Sequence, residues 1–158
     1  MLFLKFQIGV EAYVLDTAQI AEVLPLVNIR SIPKAPAGIA GLFDYRGTPV
    51  PVIDLSELAL GRPSQRHLST RLVVVRHGNH LLGVIAEQAT ETIQRDAADF
   101  TASGVTNKDA PYLGLVTQDG GRLIQWIEVH KLLPASVSSV LYRQAREEPW
   151  PSPELQPC

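Results

Sequence analysis

The sequence has very little cysteine, no excess of basic residues and no long apolar run. Its one cysteine is Cys158, so no disulfide can form within the chain, as suits a reducing compartment. It has 14 lysines and arginines against 16 aspartates and glutamates, whereas a nucleic-acid-binding domain is expected to carry a basic excess. The apolar start, Met1 to Leu4, ends at Lys5 and is too short for a signal peptide. We therefore expect a cytoplasmic protein without direct membrane insertion.

The composition is that of one globular domain followed by a tail. The chain has 158 residues, of which 46% are hydrophobic and 19% charged, and a domain of this length buries enough surface to fold without a metal or a disulfide. The last part, EEPWPSPELQPC, holds four of the 12 prolines. We predict a folded domain over residues 1–143 and a proline-rich flexible tail over residues 144–158.

Short strands separated by turn residues dominate the pattern. Leu72–Val75 and Leu81–Ile85 flank Gly78-Asn79, a two-residue turn typical of a β-hairpin. The first of these strands is apolar on both faces, which predicts a position at the centre of the domain. Further hairpins are predicted over residues 2–15, 38–55 and 112–127. Many short strands with turns between them indicate small barrels or a sandwich.

The hairpin over residues 38–55 has Arg46-Gly47 at its turn, in an otherwise apolar stretch. Arg46 is either a binding group or a charge that keeps the turn soluble. The same two interpretations apply to Glu22, between a short helical turn and an apolar strand. Pro49 and Pro51 place their missing N–H groups on one edge and predict an outer strand. Asp54 or Ser56 is predicted to cap a short helix that ends at Gly61.

The side chains that could carry chemistry form no known catalytic or metal-binding pattern. His77 and His80 flank a turn and face each other, but zinc sites need three or four ligands. Cys158 lies in the predicted tail, where no base is held against it. There is no G-x-S-x-G elbow and no phosphate-binding loop. The sequence therefore predicts no enzyme activity, no cofactor and no metal.

Four segments, in order along the chain, resemble the CheW family. IAGLFDYRGTPVPVIDLSELALG resembles its signature, in which a Gly-x-x-Asn-Leu-Arg-Gly turn precedes a proline-containing strand ending in Val-Asp-Leu. Upstream, AQIAEVLPLVNIRSIPKAPAGIAGL is similar to the family's glutamate-bearing strand and the loop after it. Downstream, RLVVVRHGNHLLGVIAEQATETIQ and YLGLVTQDGGRLIQWIEVHKLL are similar to its central and final hairpins. The likeness extends over about residues 2–135.

The resemblance implies a mainly β fold, with two small five-stranded SH3-like β-barrels packed on a shared core and a few short helices. It implies a non-enzymatic adaptor that couples chemoreceptors to a CheA-type histidine kinase in a chemosensory array. Its partners would be the regulatory domain of the kinase and the cytoplasmic tip of the receptor. By the same resemblance, Glu22 and Arg46 contribute to receptor coupling, Ile20 and Gly41 occupy neighbouring positions, and Ile29 is a candidate for the kinase face.

The sequence departs from the family pattern where partners would dock. Asp44-Tyr45 replaces the family's Asn-Leu before the arginine, and Leu24-Pro25 follows Glu22 where a polar or glycine-containing turn is more usual. These differences leave open a CheW-shaped scaffold in a non-chemotactic pathway such as surface sensing. The remaining alternative is a small barrel that binds nucleic acid. That function needs interleaved basic and aromatic side chains, and aromatic residues make up 6% of the sequence.

Overall fold

The computed structural model describes residues 1–105 and 107–147, and its architecture is mainly β, as predicted. Within these residues the strands are β1 (Leu2–Ile8), β2 (Glu11–Asp16), β3 (Ile20–Pro25), β4 (Ile39–Tyr45), β5 (Thr48–Asp54), β6 (Arg71–His77), β7 (His80–Gln94), β8 (Leu113–Asp119) and β9 (Arg122–Ile127). The α-helices are α1 (Leu55–Leu60) and α2 (Ala135–Glu147). Short 3-10 turns cover Thr17–Gln19, Ala97–Asp99 and Val129–Lys131.

The long strand β7 belongs to both halves of the fold. Up to Ala86 it pairs with β6 and β5, and from Glu87 to Gln94 it pairs with β1. Gln88, where the partner changes, has φ 53°, and the β1–β7 register shifts near this point, as at a β-bulge that redirects a strand. The first half contains β3 to β6 with the start of β7, and the second half contains β1, β2, β8 and β9 with its end.

The two five-stranded halves agree with the expected architecture, but neither is a closed barrel. All nine described strands form one continuous sheet. The first half is bridged by a single pair, Arg30 with Leu42, and the second by Thr101 with Val116. Each half is therefore an open barrel, in which an isolated bridge takes the place of a full strand pairing.

A shared core joins the halves, as expected. Alternate residues of β6 explain why this strand is apolar on both faces, since successive side chains of a strand point to opposite sides. Val73 and Val75 enter the central cluster, while Leu72 and Val74 enter a second cluster around Phe43. The central cluster also contains Leu4, Phe6, Leu15, Ile53, Leu82, Val84, Ile127, Val129 and Leu141. A third cluster, around Phe3, lies within the second half.

Strand β5 corrects one prediction. Its residues Val52 to Asp54 pair in parallel with β7 while the strand also pairs with β4, so β5 is not an outer strand along its whole length. Pro49 and Pro51 precede the stretch that pairs with β7, so their missing N–H groups do not interrupt that ladder. The predicted edge character holds only for the first part of the strand.

The C-terminal helix is longer than predicted. The sequence pattern indicates a helix over residues 135–143, but α2 continues to Glu147 and crosses the boundary placed at residue 143. Leu141 and Tyr142 are buried, which anchors the helix on the domain. Residues 148–158 lie outside the described residues, and so does most of the predicted tail.

Candidate docking surface around Glu22 and Arg46

The structure joins Glu22 and Arg46, which are 24 residues apart in sequence, in one ion pair. The Arg46 Nη2 atom donates a hydrogen bond of 2.7 Å to Glu22 Oε1. The Arg46 side chain is 73% exposed and that of Glu22 is 32% exposed. The pair therefore connects strand β3 to the β4–β5 turn at the protein surface. Sequence reasoning singled out both residues but did not pair them.

The turn that presents Arg46 is built by its neighbours. Arg46 has φ 54° and Gly47 has φ 85°, the positive values that a two-residue type I′ hairpin turn requires. The Asp44 carboxylate accepts a 2.6 Å hydrogen bond from the Gly47 N–H. The Tyr45 ring centroid lies 5.0 Å from the Arg46 guanidinium carbon, within cation–π range. The Asp44-Tyr45 departure from the family pattern thus supports the turn and its arginine.

Strand β3 provides the other side of the surface and lies at one end of the strand order. Pro25 is the last residue of this terminal strand, as expected of a proline within extended structure. Val23 and Val27 are apolar residues that are 42% and 36% exposed. We define the candidate docking surface as Glu22, Arg46, Val23 and Val27.

The other three residues proposed from the family resemblance are packed into the domain. Ile20 is half-buried against the central cluster, and Ile29 is half-buried against the cluster around Phe43. Gly41 is buried with φ 148°, and a Cβ built there would lie 2.0 Å from the Arg30 carbonyl oxygen. Gly41 therefore has a structural reason to be glycine: the backbone at Arg30 crosses directly over it.

The sequence predicted only part of a second group of side chains. His77 and His80 are opposite each other in the β6–β7 ladder, as predicted. His130 and Tyr142 join them around a cavity of about 470 Å³. No sequence signal links His130 or Tyr142 to the hairpin, because both arrive from distant elements. Among residues 1–105 and 107–147, no group of three or more metal-ligating side chains is arranged to hold a metal ion.

Comparison with known proteins supports the resemblance that the sequence predicted. Residues 2–137 match the family model described as the CheW-like domain. The chain belongs to the CheW-like family. It is 28% identical over 133 residues to the chemotaxis protein CheW of Helicobacter pylori, which covers 83% of this chain and 80% of that protein. It is 26% identical to the chemotaxis protein CheW of Treponema pallidum, over 80% of this chain and 78% of that one.

A solved structure gives the same result for the fold. The crystal structure of the scaffolding protein TtCheW from Thermoanaerobacter tengcongensis is similar to this chain, with a TM-score of 0.78 and 26% identity. The match covers 86% of this chain and 89% of TtCheW. The CheW-like match ends at residue 137, so most of α2 (Ala135–Glu147) lies beyond it. None of the helices in the described part of the chain is long and apolar enough to cross a membrane.

Proposed function

We propose that this chain is a non-enzymatic adaptor that couples chemoreceptors to a CheA-type histidine kinase in a cytoplasmic array at the membrane. Relatives that match most of its length are named chemotaxis protein CheW, and a structural relative is named a scaffolding protein. The observation that carries the proposal is the exposed Glu22–Arg46 ion pair. The partners proposed for the protein are the receptor tip and the regulatory domain of the kinase.

The ion pair suits an exchangeable contact better than a structural one. Exposed ion pairs stabilise a fold by only about 0–1 kcal/mol, and the Arg46 side chain is 73% exposed. A partner that presents complementary charges can therefore replace the internal pairing at low cost. The pair holds both charges in a defined place before binding, since the Arg46 turn is fixed by Asp44 and Tyr45. Preorganised charges set register and partner choice.

Exposed apolar area on β3 and on the segment after it would supply the rest of the binding energy. Val23 and Val27 are exposed on β3 and on the segment after it, and burying them against a partner removes apolar surface from water. An interface with an apolar centre and a few charges is the ordinary pattern for protein partners. The docking surface thus favours a protein ligand over a small molecule.

Charge reversal at the docking surface tests the proposal. We expect Arg46→Glu or Glu22→Lys to weaken receptor-tip binding by about 2 kcal/mol, roughly thirtyfold, if the site is a hot spot. Binding of a receptor-tip fragment and of the kinase regulatory domain would be measured by calorimetry. Arg66→Glu is the matched control, since Arg66 is exposed in the loop after α1 and the charge changes equally. It should leave both affinities unchanged.

The double variant Glu22→Arg/Arg46→Glu separates partner binding from folding. It restores an internal ion pair with reversed polarity, so the turn should keep its place while the charges seen by a partner are exchanged. We expect stability near that of the wild type and binding as weak as that of the single variants. Full recovery of binding would show that only the internal pair matters. If the wild type binds neither partner, the adaptor proposal fails, and a scaffold in another pathway becomes the better interpretation.

The nucleic-acid alternative finds little support in the aromatic residues. Phe3, Phe100 and Trp126 pack on one another, with ring centroids 4.9 to 5.2 Å apart, inside the second half. Rings used for this purpose cannot stack on bases. A strongly salt-dependent affinity for DNA or RNA would nevertheless support nucleic-acid binding.

A further inference from the structure

Three histidines from separate elements lie around one cavity beside α2. His77 ends β6 and His80 begins β7, and they face each other across the hairpin. His130 comes from the 3-10 turn Val129–Lys131. We name these three residues the histidine cluster. They line a cavity of about 470 Å³ together with Tyr142 and two serines of α2.

Helix α2 is held on the domain through this cluster. The Tyr142 ring stacks on the His80 ring with centroids 4.2 Å apart and planes 16° apart. Its hydroxyl donates a 2.9 Å hydrogen bond to the Leu81 carbonyl oxygen, and the residue is 7% exposed. Leu141, the residue before Tyr142, is 1% exposed and belongs to the central cluster. Contacts of Tyr142 with the hairpin therefore fix where the helix sits.

The surroundings of His77 favour its neutral form. Its Nε2 atom is buried without a hydrogen-bond partner in the described residues, so a proton there would be a buried donor with no acceptor. Burial lowers the pKa of His77, and the charges of His80 and His130 lower it further, against an opposing backbone hydrogen bond.

The other groups around the ring do not supply a compensating negative charge. Helix α2 contributes Ser138, Ser139 and Tyr142 to the cavity, and burial raises the pKa of Tyr142, so this hydroxyl stays neutral. In the described chain, the residues that line the cavity include no carboxylate. Lys131, next to His130, is paired with Glu128 at 3.2 Å. His130 also lines a second cavity together with Asp16 and Glu128. A proton on His77, by contrast, would face no carboxylate among the described residues that line the first cavity.

We propose that the histidine cluster is a proton-sensitive latch that keeps α2 docked while the His77 ring is neutral and releases Tyr142 when that ring is protonated. Helix α2 also packs against β5, the strand that follows the Arg46-Gly47 turn. The latch does not depend on the adaptor function, because it is a property of α2, the β6–β7 hairpin and the 3-10 turn that carries His130.

The direction of the pH effect follows from the lowered pKa of the docked state. Once released, the ring takes up a proton near its ordinary pKa, about 6.5. Docking is therefore fully stabilised above about pH 6.5 and is weakened as the pH falls below that value toward the lower pKa of docked His77. For one proton, the ratio of released to docked protein is expected to rise between pH 7.5 and 5.5, by at most about tenfold.

Histidine NMR and hydrogen exchange on the full chain test the latch. We expect the pKa of the His77 ring to lie below the ordinary histidine value. The control residue, His67, lies in a loop and hydrogen-bonds to Gln65 at 2.7 Å. Protection of the α2 amides, corrected for intrinsic exchange, should fall from pH 7.5 to 5.5, by at most about tenfold. His77→Gln should remove this pH dependence, and the control His67→Gln should leave it unchanged.

A second variant covers the case in which His77→Gln releases α2 by itself. His80→Phe keeps a ring stacked against Tyr142 and removes one of the charges that act on His77. In this variant, protection of the α2 amides should depend less on pH than in the wild type, and the helix should stay docked at pH 7.5. Constant α2 protection in the wild type between pH 7.5 and 5.5 would overturn the latch. The latch would also be overturned if α2 protection in both His80→Phe and His77→Gln depended on pH as strongly as in the wild type.

Discussion

Replacing Gly41 with alanine is expected to lower the free energy of unfolding by about 3 kcal/mol or more. A Cβ at this position would lie 2.0 Å from the Arg30 carbonyl oxygen and 2.7 Å from its carbon. Because backbone atoms, unlike the end of a flexible side chain, cannot move aside cheaply, the chain at Arg30 would have to shift. Urea denaturation followed by circular dichroism would measure the loss.

The shift would also break the isolated bridge between the segment after β3 and strand β4 in the first half. Arg30 N–H donates to the Leu42 oxygen at 2.8 Å, and Leu42 N–H donates to the Arg30 oxygen at 2.8 Å. These bonds hold the segment after β3 against β4, so their loss would free the region that carries Val27 and Ile29. A Gly41 variant that fails to bind a partner must therefore be checked for folding before the glycine is assigned to an interface.

Gly47→Ala is the matched control for this prediction. Gly47 also has a positive φ, at 85°, but a Cβ there would meet nothing within 4 Å. The substitution should cost only the conformational strain of a left-handed residue, about 1–2 kcal/mol. The difference between the two variants measures the close approach at Arg30. Equal losses would show that backbone strain, and not the crossing, makes position 41 sensitive.

Replacing Asp54 with alanine is expected to cost about 3 kcal/mol, because its carboxylate gathers several donors in a site that is 5% exposed. Oδ1 accepts from the Ser56 N–H at 3.0 Å and from the Ser64 hydroxyl at 2.6 Å. Oδ2 accepts from the Ser64 N–H at 2.9 Å. A further, longer bond of 3.4 Å comes from the Glu57 N–H. Removing the carboxylate would leave the N-terminus of α1 and the loop after it without their common acceptor.

Asp16→Ala provides the comparison. Asp16 also caps a helical turn, but its side chain makes one bond of 2.9 Å to the Ala18 N–H at the surface. Loss of a single exposed cap costs about 0.5–1 kcal/mol. Thermal unfolding of both variants would show whether burial and the number of donors account for the difference. If Asp54→Ala cost no more than Asp16→Ala, water would be replacing the lost carboxylate.

Local features of this fold were predictable because their causes lie within a few residues. The Gly78-Asn79 hairpin, the Arg46-Gly47 turn and the Asp54 cap each depend on turn or capping chemistry that the neighbouring residues supply. The two-sided apolar pattern of β6 predicted its central position, since each face must be buried against a different cluster. The four motifs in order also predicted the family, which the match over residues 2–137 confirmed.

Long-range pairings were not predictable in this way. The proline pattern of β5 indicated an outer strand, yet residues Val52 to Asp54 pair with β7, because an apolar stretch is better buried between two strands. The open halves likewise depend on where β7 changes its partner, at the positive φ of Gln88. Strand pattern alone cannot locate an irregularity of this kind, since extra residues in one strand change the register while the side-chain alternation on either side stays the same.

The sequence by itself determined the strands and the turns, since these depend on side-chain period and on local hydrogen bonds, and the resemblance of four segments to known motifs indicated the family. Only the tertiary structure decided that Glu22 meets Arg46, that the backbone at Arg30 crosses Gly41, and that His130 and Tyr142 join the His77–His80 hairpin. Each of these contacts joins segments far apart in the chain. Their positions depend on how the two halves and α2 pack on a shared core, which no local pattern encodes.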